Sequence, residues 1–339
     1  MIDVKSDRLD RRSILQLGLA SACSGALVLS PFARQAFAQT GSVQWGSSSL
    51  GSTGYVIIEA LASTVNKHTD LKSSSMATSG GAENMALLGE SMVQFGQTTS
   101  SDWPAAFEGN APYNGPVEAH QMFAYTLWNM PPIVHARSDI KSFEDLKGRR
   151  VMPSQPTSST GAMWKVLFQA AGLESEVDWN YGSWRETYDA FKAGKVDVIP
   201  ANITNGRPSP ILSELLVSEE VRALELSEEL LAKASEINPG ILTGPVDSAV
   251  WNGEGGTIRA PSFSGIVGAA ASVDEQIGYA VTKAVFENEE EIRAIGVQLQ
   301  DIRLEFAVKY LLSAYPVNPG AAKYFKERGV WRDDLTIAG

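Results

Sequence analysis

Small hydroxyl residues and glycines stand directly in front of two predicted helices, at 46–54 and at 156–161. The first amide groups of a helix have no partner within the helix, and the helix dipole places positive potential there. Such a loop can bind an anion through backbone N–H groups and hydroxyls without any basic side chain. Ordinary capping and turn chemistry uses the same residue types and is the alternative. A third loop of this kind, at 78–81, favours a binding cleft lined by helix N-termini.

Known catalytic motifs fit the chain poorly. The segment 46–53 imitates a phosphate-binding P-loop, but Ser52 stands where the essential lysine belongs. Ser138 and Lys141 have the Ser-x-x-Lys spacing, but no Lys-Thr-Gly follows them. A few acids could act as catalysts, although most acids are solvated surface groups; those considered are Glu83, Asp102 and Asp197. The sequence therefore does not predict an enzyme.

These loops belong to a repeated order of elements, strand then small-residue loop then helix, at 42–65 and again at 150–172. The alternation predicts an α/β fold. The two helical faces are Ile57, Ala60, Leu61, Thr64 and Val65, and Met163, Val166, Leu167, Ala170 and Ala171. Further strands are predicted at 92–95, 121–135 and 196–199, and further helices at 83–88, at 188–194 and behind the cap Asp274.

Composition excludes several functional classes. The chain has 339 residues, 28 basic and 39 acidic groups, and a formal charge of −11. An acidic chain is a poor nucleic-acid binder, because such binding depends on basic side chains that neutralise phosphates. Cys23 is the only cysteine, and the three histidines lie far apart. Neither a metal site nor a disulfide framework is expected, and no cofactor is implied.

The first 38 residues resemble an export signal. Arg11 and Arg12 precede an apolar stretch that runs to about Leu29, and the segment 36–38 offers the small residues that a signal peptidase requires. A twin-arginine signal is the first interpretation and an ordinary secretory signal is the alternative. No later segment has some eighteen consecutive apolar residues. We therefore expect a soluble periplasmic protein after cleavage near Ala38.

Four stretches together resemble the TAXI-type solute receptors of TRAP transporters. The element at 79–84 (Ser-Gly-Gly-Ala-Glu-Asn) and the ending at 318–329 (Asn-Pro-Gly-Ala-Ala-Lys-Tyr-Phe-Lys-Glu-Arg-Gly) are the more specific ones. The Gly/Ser/Thr loop and helix of 46–65 and the segment 140–160 complete the match. The similarity extends over nearly the whole chain after residue 38.

The resemblance implies a two-lobed type II periplasmic binding protein fold with a ligand cleft between the lobes. Lobe 1 would comprise 39–133 and 261–339, and lobe 2 would comprise 134–260. The implied function is capture of a small organic anion or amino acid for a sodium-coupled TRAP permease, by a monomer without enzymatic activity. The ligand-binding residues implied by the match are Ser52, Thr53, Tyr55, Ser79, Gly80, Gly81, Asn84, Ser158, Ser159 and Thr160.

The resemblance also suggests how the ligand would lie. Its carboxylate is expected on the helix start at 157–161, with Tyr55 closing over its apolar part. Gly54, Thr157 and Ser159 depart from the family pattern, so the glutamate and glutamine of better-known members are not carried over. Three alternatives remain: an ABC-transporter receptor of the same fold, an exported enzyme, and a receptor for a membrane sensor kinase.

Overall fold

The computed structural model describes residues 41–251 and 256–339. The predicted signal peptide and its cleavage site lie outside the described residues.

The strands fall into three sheets. Their bounds are β1 Ser42–Gly46, β2 Lys72–Met76, β3 Phe95–Thr99, β4 Ala119–Asn129, β5 Pro132–His135, β6 Arg150–Val151, β7 Asp178–Trp179, β8 Ile199–Pro200, β9 Ile203–Thr204, β10 Arg207–Pro208, β11 Val221–Ala223, β12 Leu242–Asp247 and β13 Thr257–Ala270.

The α-helices alternate with these strands through most of the chain. Their bounds are α1 Thr53–His68, α2 Gly81–Gly89, α3 Asp102–Glu108, α4 Ser159–Ala170, α5 Trp184–Lys192, α6 Pro210–Ser218, α7 Glu228–Ile237, α8 Glu275–Glu287, α9 Glu289–Ile295, α10 Leu304–Lys309 and α11 Pro319–Glu327. In the part of the chain that the structure describes, no helix is both long and apolar enough to cross a membrane.

The large sheet has the strand order β10-β9-β4-β13-β3-β1-β2, and β12 also pairs with β13. Strand β1 runs parallel to both β2 and β3, whereas β13 runs antiparallel to β3, β4 and β12. The smaller sheets are β11-β5-β8 and the parallel pair β6-β7. An isolated bridge between Val151 and Val198 connects β6 to the segment that leads into β8.

These sheets form the centres of two lobes, so the predicted two-lobed α/β fold is confirmed. The chain leaves the large sheet after β4 and reaches the small sheet at β5, through residues 130–131. It passes back through residues 201–202, between β8 and β9. Strands β9, β10 and β12, which lie within 134–260, hydrogen-bond to the large sheet. The lobe boundaries at 133/134 and 260/261 stay a prediction.

Most of the elements predicted from periodicity are confirmed. The face predicted for α1 is buried at every position, and Asp274 caps α8 by accepting the N–H of Ile277. The strand predicted at 92–95 begins only at Phe95. The single strand predicted at 121–135 is two strands, because Pro131 and Pro132 have no backbone N–H with which to continue the ladder of β4 beyond Asn129.

Helices α8 and α11 approach closely on the large lobe. At Gly320, an added Cβ would overlap the backbone of Glu275 and Tyr279 and would lie 2.8 Å from the carbonyl carbon of Gly278. The side chain of Asn318 caps α11 by accepting the N–H of Gly320 at 2.9 Å, and its amide donates to Val273. Only glycine allows this contact between the two helix backbones.

We therefore predict that Gly320→Ala lowers the free energy of unfolding by about 1–3 kcal/mol, the usual cost of overpacking a tight site. Urea unfolding measures the change. Gly115→Ala is the matched control, because nothing lies within 4 Å of its added Cβ. Equal stability of the two variants would show that α8 and α11 are farther apart than described.

Candidate functional site

A cavity lies where the two lobes meet. Its volume is about 30 Å³, which is room for roughly two water molecules. One wall consists of small polar residues at the starts of α1, α2 and α4, and the other wall is apolar and aromatic. This volume leaves room for no more than a few atoms of a ligand in the arrangement described.

The polar wall is built from helix starts. Ser52 caps α1 by accepting the N–H of Tyr55 at 3.1 Å, and Ser158 caps α4 by accepting the N–H of Gly161 at 3.0 Å. Gly80 precedes α2 with φ of 128°, a conformation that glycine adopts far more easily than other residues. The local sequence thus folds as capped helix starts, and residues of these starts line the cavity.

Two hydrogen bonds join the lobes beside this wall. Thr157 Oγ1 donates to Ser79 Oγ at 2.9 Å, and Ser159 Oγ donates to Asp102 Oδ2 at 2.8 Å. A side chain at Gly81 would overlap both Asp102 and Ser159. The glycine therefore lets the start of α2 come into contact with the start of α4.

The structure brings most of the predicted site residues together. The cavity is lined by Ser52, Ser79, Gly80, Gly81, Ser158, Ser159 and Thr160. Thr53, Tyr55 and Asn84 do not line it. Asn84 instead donates to the carbonyl oxygens of Ser47 and Gln97, at 2.7 and 2.8 Å. It acts as a positioning residue beneath the loop that carries the polar wall. That any of these residues binds a ligand stays a prediction.

The aromatic wall was not predicted. It comprises Trp128 at the end of β4, Met130, Phe263 in β13 and Trp184 at the start of α5. Phe263 pairs with Trp128 across the strands, and their ring centroids lie 5.8 Å apart. Periodicity indicated only that 121–135 would be buried. The pairing of β4 with β13, which brings the two rings together, joins segments more than a hundred residues apart.

Several polar atoms of the cavity residues are buried without a protein partner. Gln97 Oε1, Asn202 Oδ1 and Trp128 Nε1 form no hydrogen bond with any residue that the structure describes. Gln97 and Asn202 are each 6% exposed and Trp128 is 3% exposed. Buried polar groups are nearly always hydrogen-bonded. A molecule bound in the cavity could supply the missing hydrogen bonds.

Asp102 lies directly behind the polar wall and is 3% exposed. Its Oδ2 accepts the N–H of Thr99 at 2.7 Å, the hydroxyl of Thr99 at 3.0 Å and the hydroxyl of Ser159. Burial raises the pKa of Asp102 to about 6, and these three hydrogen bonds offset only part of that rise. Its carboxylate forms no ion pair with the residues described.

The surroundings of the cavity are acidic. None of the residues that line it is Lys, Arg or His. Ser79, on the polar wall, donates its N–H and its hydroxyl to Glu83 Oε2, at 2.7 and 2.6 Å. Across 41–251 and 256–339, no cluster of three or more His, Cys, Asp or Glu could hold a metal ion. The functional groups that this cleft offers are hydroxyls, amides, aromatic rings and two nearby carboxylates.

Comparison with known proteins places the chain in a family. The model of the NMT1-like family matches residues 45–329, and the chain belongs to this family.

Solved structures of low sequence identity are also similar. The periplasmic aliphatic sulphonate binding protein SsuA of Escherichia coli is 17% identical, with 77% of this chain and 78% of that chain covered and a TM-score of 0.43. The alkanesulfonate-binding protein SsuA of Xanthomonas axonopodis pv. citri, bound to MOPS, is 14% identical, with 88% and 96% covered and a TM-score of 0.47. The probable amino-acid ABC transporter extracellular-binding protein YtmK of Bacillus subtilis is 15% identical, with 78% and 97% covered and a TM-score of 0.43.

The raised pKa of Asp102 predicts a pH-dependent effect of Asp102→Asn. A carboxyl whose pKa is higher in the folded state stabilises the fold when protonated, and this contribution disappears as pH rises through about 6. Relative to wild type, the stability of the variant should therefore rise by about 2–3 kcal/mol between pH 4 and pH 7.5. Urea unfolding at both pH values measures the difference.

Asp139→Asn is the control for that experiment. Asp139 is exposed, and its hydrogen bond to Arg149 lowers the pKa of its carboxyl. The pH-dependent difference for this variant should have the opposite sign. A difference for Asp102→Asn that does not change with pH would contradict the burial of an ionisable group at this position.

Proposed function

We propose that this protein is an exported solute-binding receptor that closes its two lobes around a small organic molecule and delivers it to a membrane transporter. The cavity between the lobes carries the proposal, because its walls come from both lobes and contain three buried, unpartnered polar groups. The export signal expected at residues 1–38 supports a periplasmic location.

A hinge motion is the mechanism that this geometry supports. Met130 and Asn202 line the cavity and lie in the two chain crossings at 130–131 and 201–202. A rotation at these crossings would separate Ser79 from Thr157 and Asp102 from Ser159. Entry of the ligand would break these two contacts, and closure would form them again around it.

The ligand contacts follow from the same arrangement. Ser52, Ser79, Gly80 and Gly81 would contact the ligand from lobe 1, and Ser158, Ser159 and Thr160 would contact it from lobe 2. Trp128, Trp184 and Phe263 would cover its apolar part, the role that the sequence assigned to Tyr55. The sequence predicts that a carboxylate of the ligand binds at the start of α4. A screen of ligands with and without a carboxylate tests this arrangement.

Two types of membrane transporter are proposed as alternatives for receiving the ligand. The elements at 79–84 and 318–329 support a sodium-coupled TRAP permease of the TAXI type. An ABC transporter is supported at least as well, because the family to which the chain belongs is the broader NMT1-like family, which does not single out the TAXI type. Uptake into membrane vesicles supplied with the purified protein separates the two: dependence on a sodium gradient indicates TRAP, and dependence on ATP indicates ABC.

A thermal-shift screen of the purified protein against organic acids, amines, amino acids and sulfonates tests the receptor function. A solute that binds only the folded state should stabilise it by about 2.7 kcal/mol when present at 100 times its Kd. The compound should be recovered intact. Consumption of the compound would instead favour an exported enzyme that uses Ser159 and Asp102, and the absence of any shift would contradict the receptor proposal.

Trp184→Ala should weaken binding of the identified solute at least tenfold, because truncating a large aromatic side chain in a buried pocket removes much of the contact area. Isothermal titration calorimetry measures the affinity. Tyr181→Ala is the matched control, since Tyr181 is an exposed aromatic residue of the same lobe outside the cavity. Equal affinity of both variants would show that the solute does not reach the aromatic wall.

A further inference from the structure

Two carboxylates border the cavity, and none of the residues that line it is basic. Asp102 lies behind Gly81 and Ser159, and Glu83 is bound to Ser79; all three of these neighbours line the cavity, and no basic residue does so. An anionic ligand would therefore enter a pocket bordered by two carboxylates without a basic side chain opposite it. Repulsion between the ligand's negative charge and these carboxylates would be stronger inside the protein than in water, because the dielectric constant there is lower.

Asp102 itself lacks a counter-charge. Buried charges in proteins are normally paired with an opposite charge or bound to a metal. The hydrogen bonds of Asp102 all come from neutral groups and all go to Oδ2, while Oδ1 accepts none from the residues described. Burial keeps the pKa of this carboxyl raised despite those bonds. A cation that arrived in the cleft would compensate this charge.

The polar groups of the cavity also favour a ligand that donates hydrogen bonds. Gln97 Oε1 and Asn202 Oδ1 are acceptors without a donor, and Trp128 Nε1 is an unpartnered donor. An ammonium group has several N–H bonds and no acceptor. Gln97 of β3 and Asn202 of the crossing between β8 and β9 both line the cavity, so an ammonium group bound there could donate to these oxygens.

The aromatic wall also favours a positively charged organic ligand. The rings of Trp128 and Phe263 from lobe 1 and Trp184 from lobe 2 line the cavity together. Aromatic faces attract organic cations, and this attraction strengthens when the site excludes water. The rings are at least nine-tenths buried in the closed arrangement.

From these observations we infer that the solute is a small organic amine, protonated at neutral pH, with its ammonium group on the side of Asp102 and its carbon atoms against the aromatic wall. The inference rests on the proposed receptor function and narrows its ligand class. In this arrangement the protein supplies the negative charge through Asp102, and the ligand is the cation. The carboxylate that the sequence predicts on the start of α4 would instead make the ligand the anion.

The effect of pH on binding has a defined sign. Asp102 must be ionised to attract the ammonium group, so affinity should fall as pH drops below about 6. Tyr113 and Tyr125 are the titratable groups that Asp102 influences, and burial raises the pKa of both, so both stay neutral in this range. Glu83, on the first turn of α2, is the other acidic group beside the cavity and accepts from Ser79. Amine affinity is expected to be about tenfold weaker at pH 5 than at pH 7.5.

Calorimetry and thermal shift with putrescine, n-butylamine and 5-aminovalerate test the inference on the purified protein. Valerate, glutarate and n-butanol are the matched compounds without an amine. At least one amine should bind at least tenfold more tightly than each compound that lacks one, with the stated pH dependence in the wild-type protein. Valerate or glutarate binding as tightly as 5-aminovalerate would overturn the inference and leave the receptor function intact.

Asp102→Asn should weaken amine binding at least tenfold at pH 7.5 and abolish its pH dependence. Asp301→Asn is the matched control, because Asp301 is another carboxyl whose burial raises its pKa, and it lies outside the cavity, bonded to Thr126. Amine binding that keeps its affinity in Asp102→Asn would also overturn the inference. If none of the six compounds nor any other solute of the screen shifts the melting temperature, the receptor proposal fails together with it.

Discussion

The register between β4 and β13 is the constraint on which the rest of the cleft depends. It pairs Phe263 with Trp128 and Ser262 with Asn129 at the point where the chain leaves the large sheet for the small one. Strand β9 then returns to pair with the same end of β4, at Trp128 and Asn129. A slip of one residue would turn the side chains of β4 to the opposite face of the sheet. The two chain crossings and the contact of Trp128 with Phe263 therefore depend on the same strand pairing.

The shape of the polar wall depends on three glycines whose backbone lies directly against the side chains of other residues. Gly46 leaves no space for a side chain beside the Asn84 amide, and Gly54 leaves none beside Gln97. Gly81 does the same for Asp102 and Ser159. Asn84 then bonds to carbonyl oxygens at both ends of this region, and so fixes the loop before α1 relative to β3. The parts of the polar wall that belong to lobe 1 are thus fixed to one another, and the hydrogen bonds from Ser159 and Thr157 connect them to lobe 2.

The sequence predicts the parts of this structure that depend on local pattern. Helix α1 and its neighbours follow from apolar spacing and caps, and the three loops of the polar wall follow from small residues before helix starts. Strand β2 was missed because Lys72–Met76 is an exposed, largely serine strand without apolar alternation. Strand β13 was missed because Pro261, Gly265 and Gly268 interrupt its pattern. Gly265 is needed there, since Tyr125 and Trp128 occupy the space of its side chain.

The role of Asp102 illustrates what local pattern cannot give. The sequence marks it only as one of several acids, whereas in the structure it is buried and accepts a hydrogen bond from Ser159, a residue 57 positions away. The contact between Ser159 and Asp102 also changes which ligand charge the helix starts are expected to bind. Free N–H groups at a helix N-terminus favour an anion, which is why the sequence predicts an anionic ligand. In the folded chain, the start of α2 and the start of α4 already lie against the carboxylate of Asp102. The protein thus supplies its own anion at this place, and burial keeps the pKa of that carboxyl raised. Selection of the solute then depends on Asp102 together with the groups that remain free: the amides of Gln97 and Asn202 and the rings of the aromatic wall.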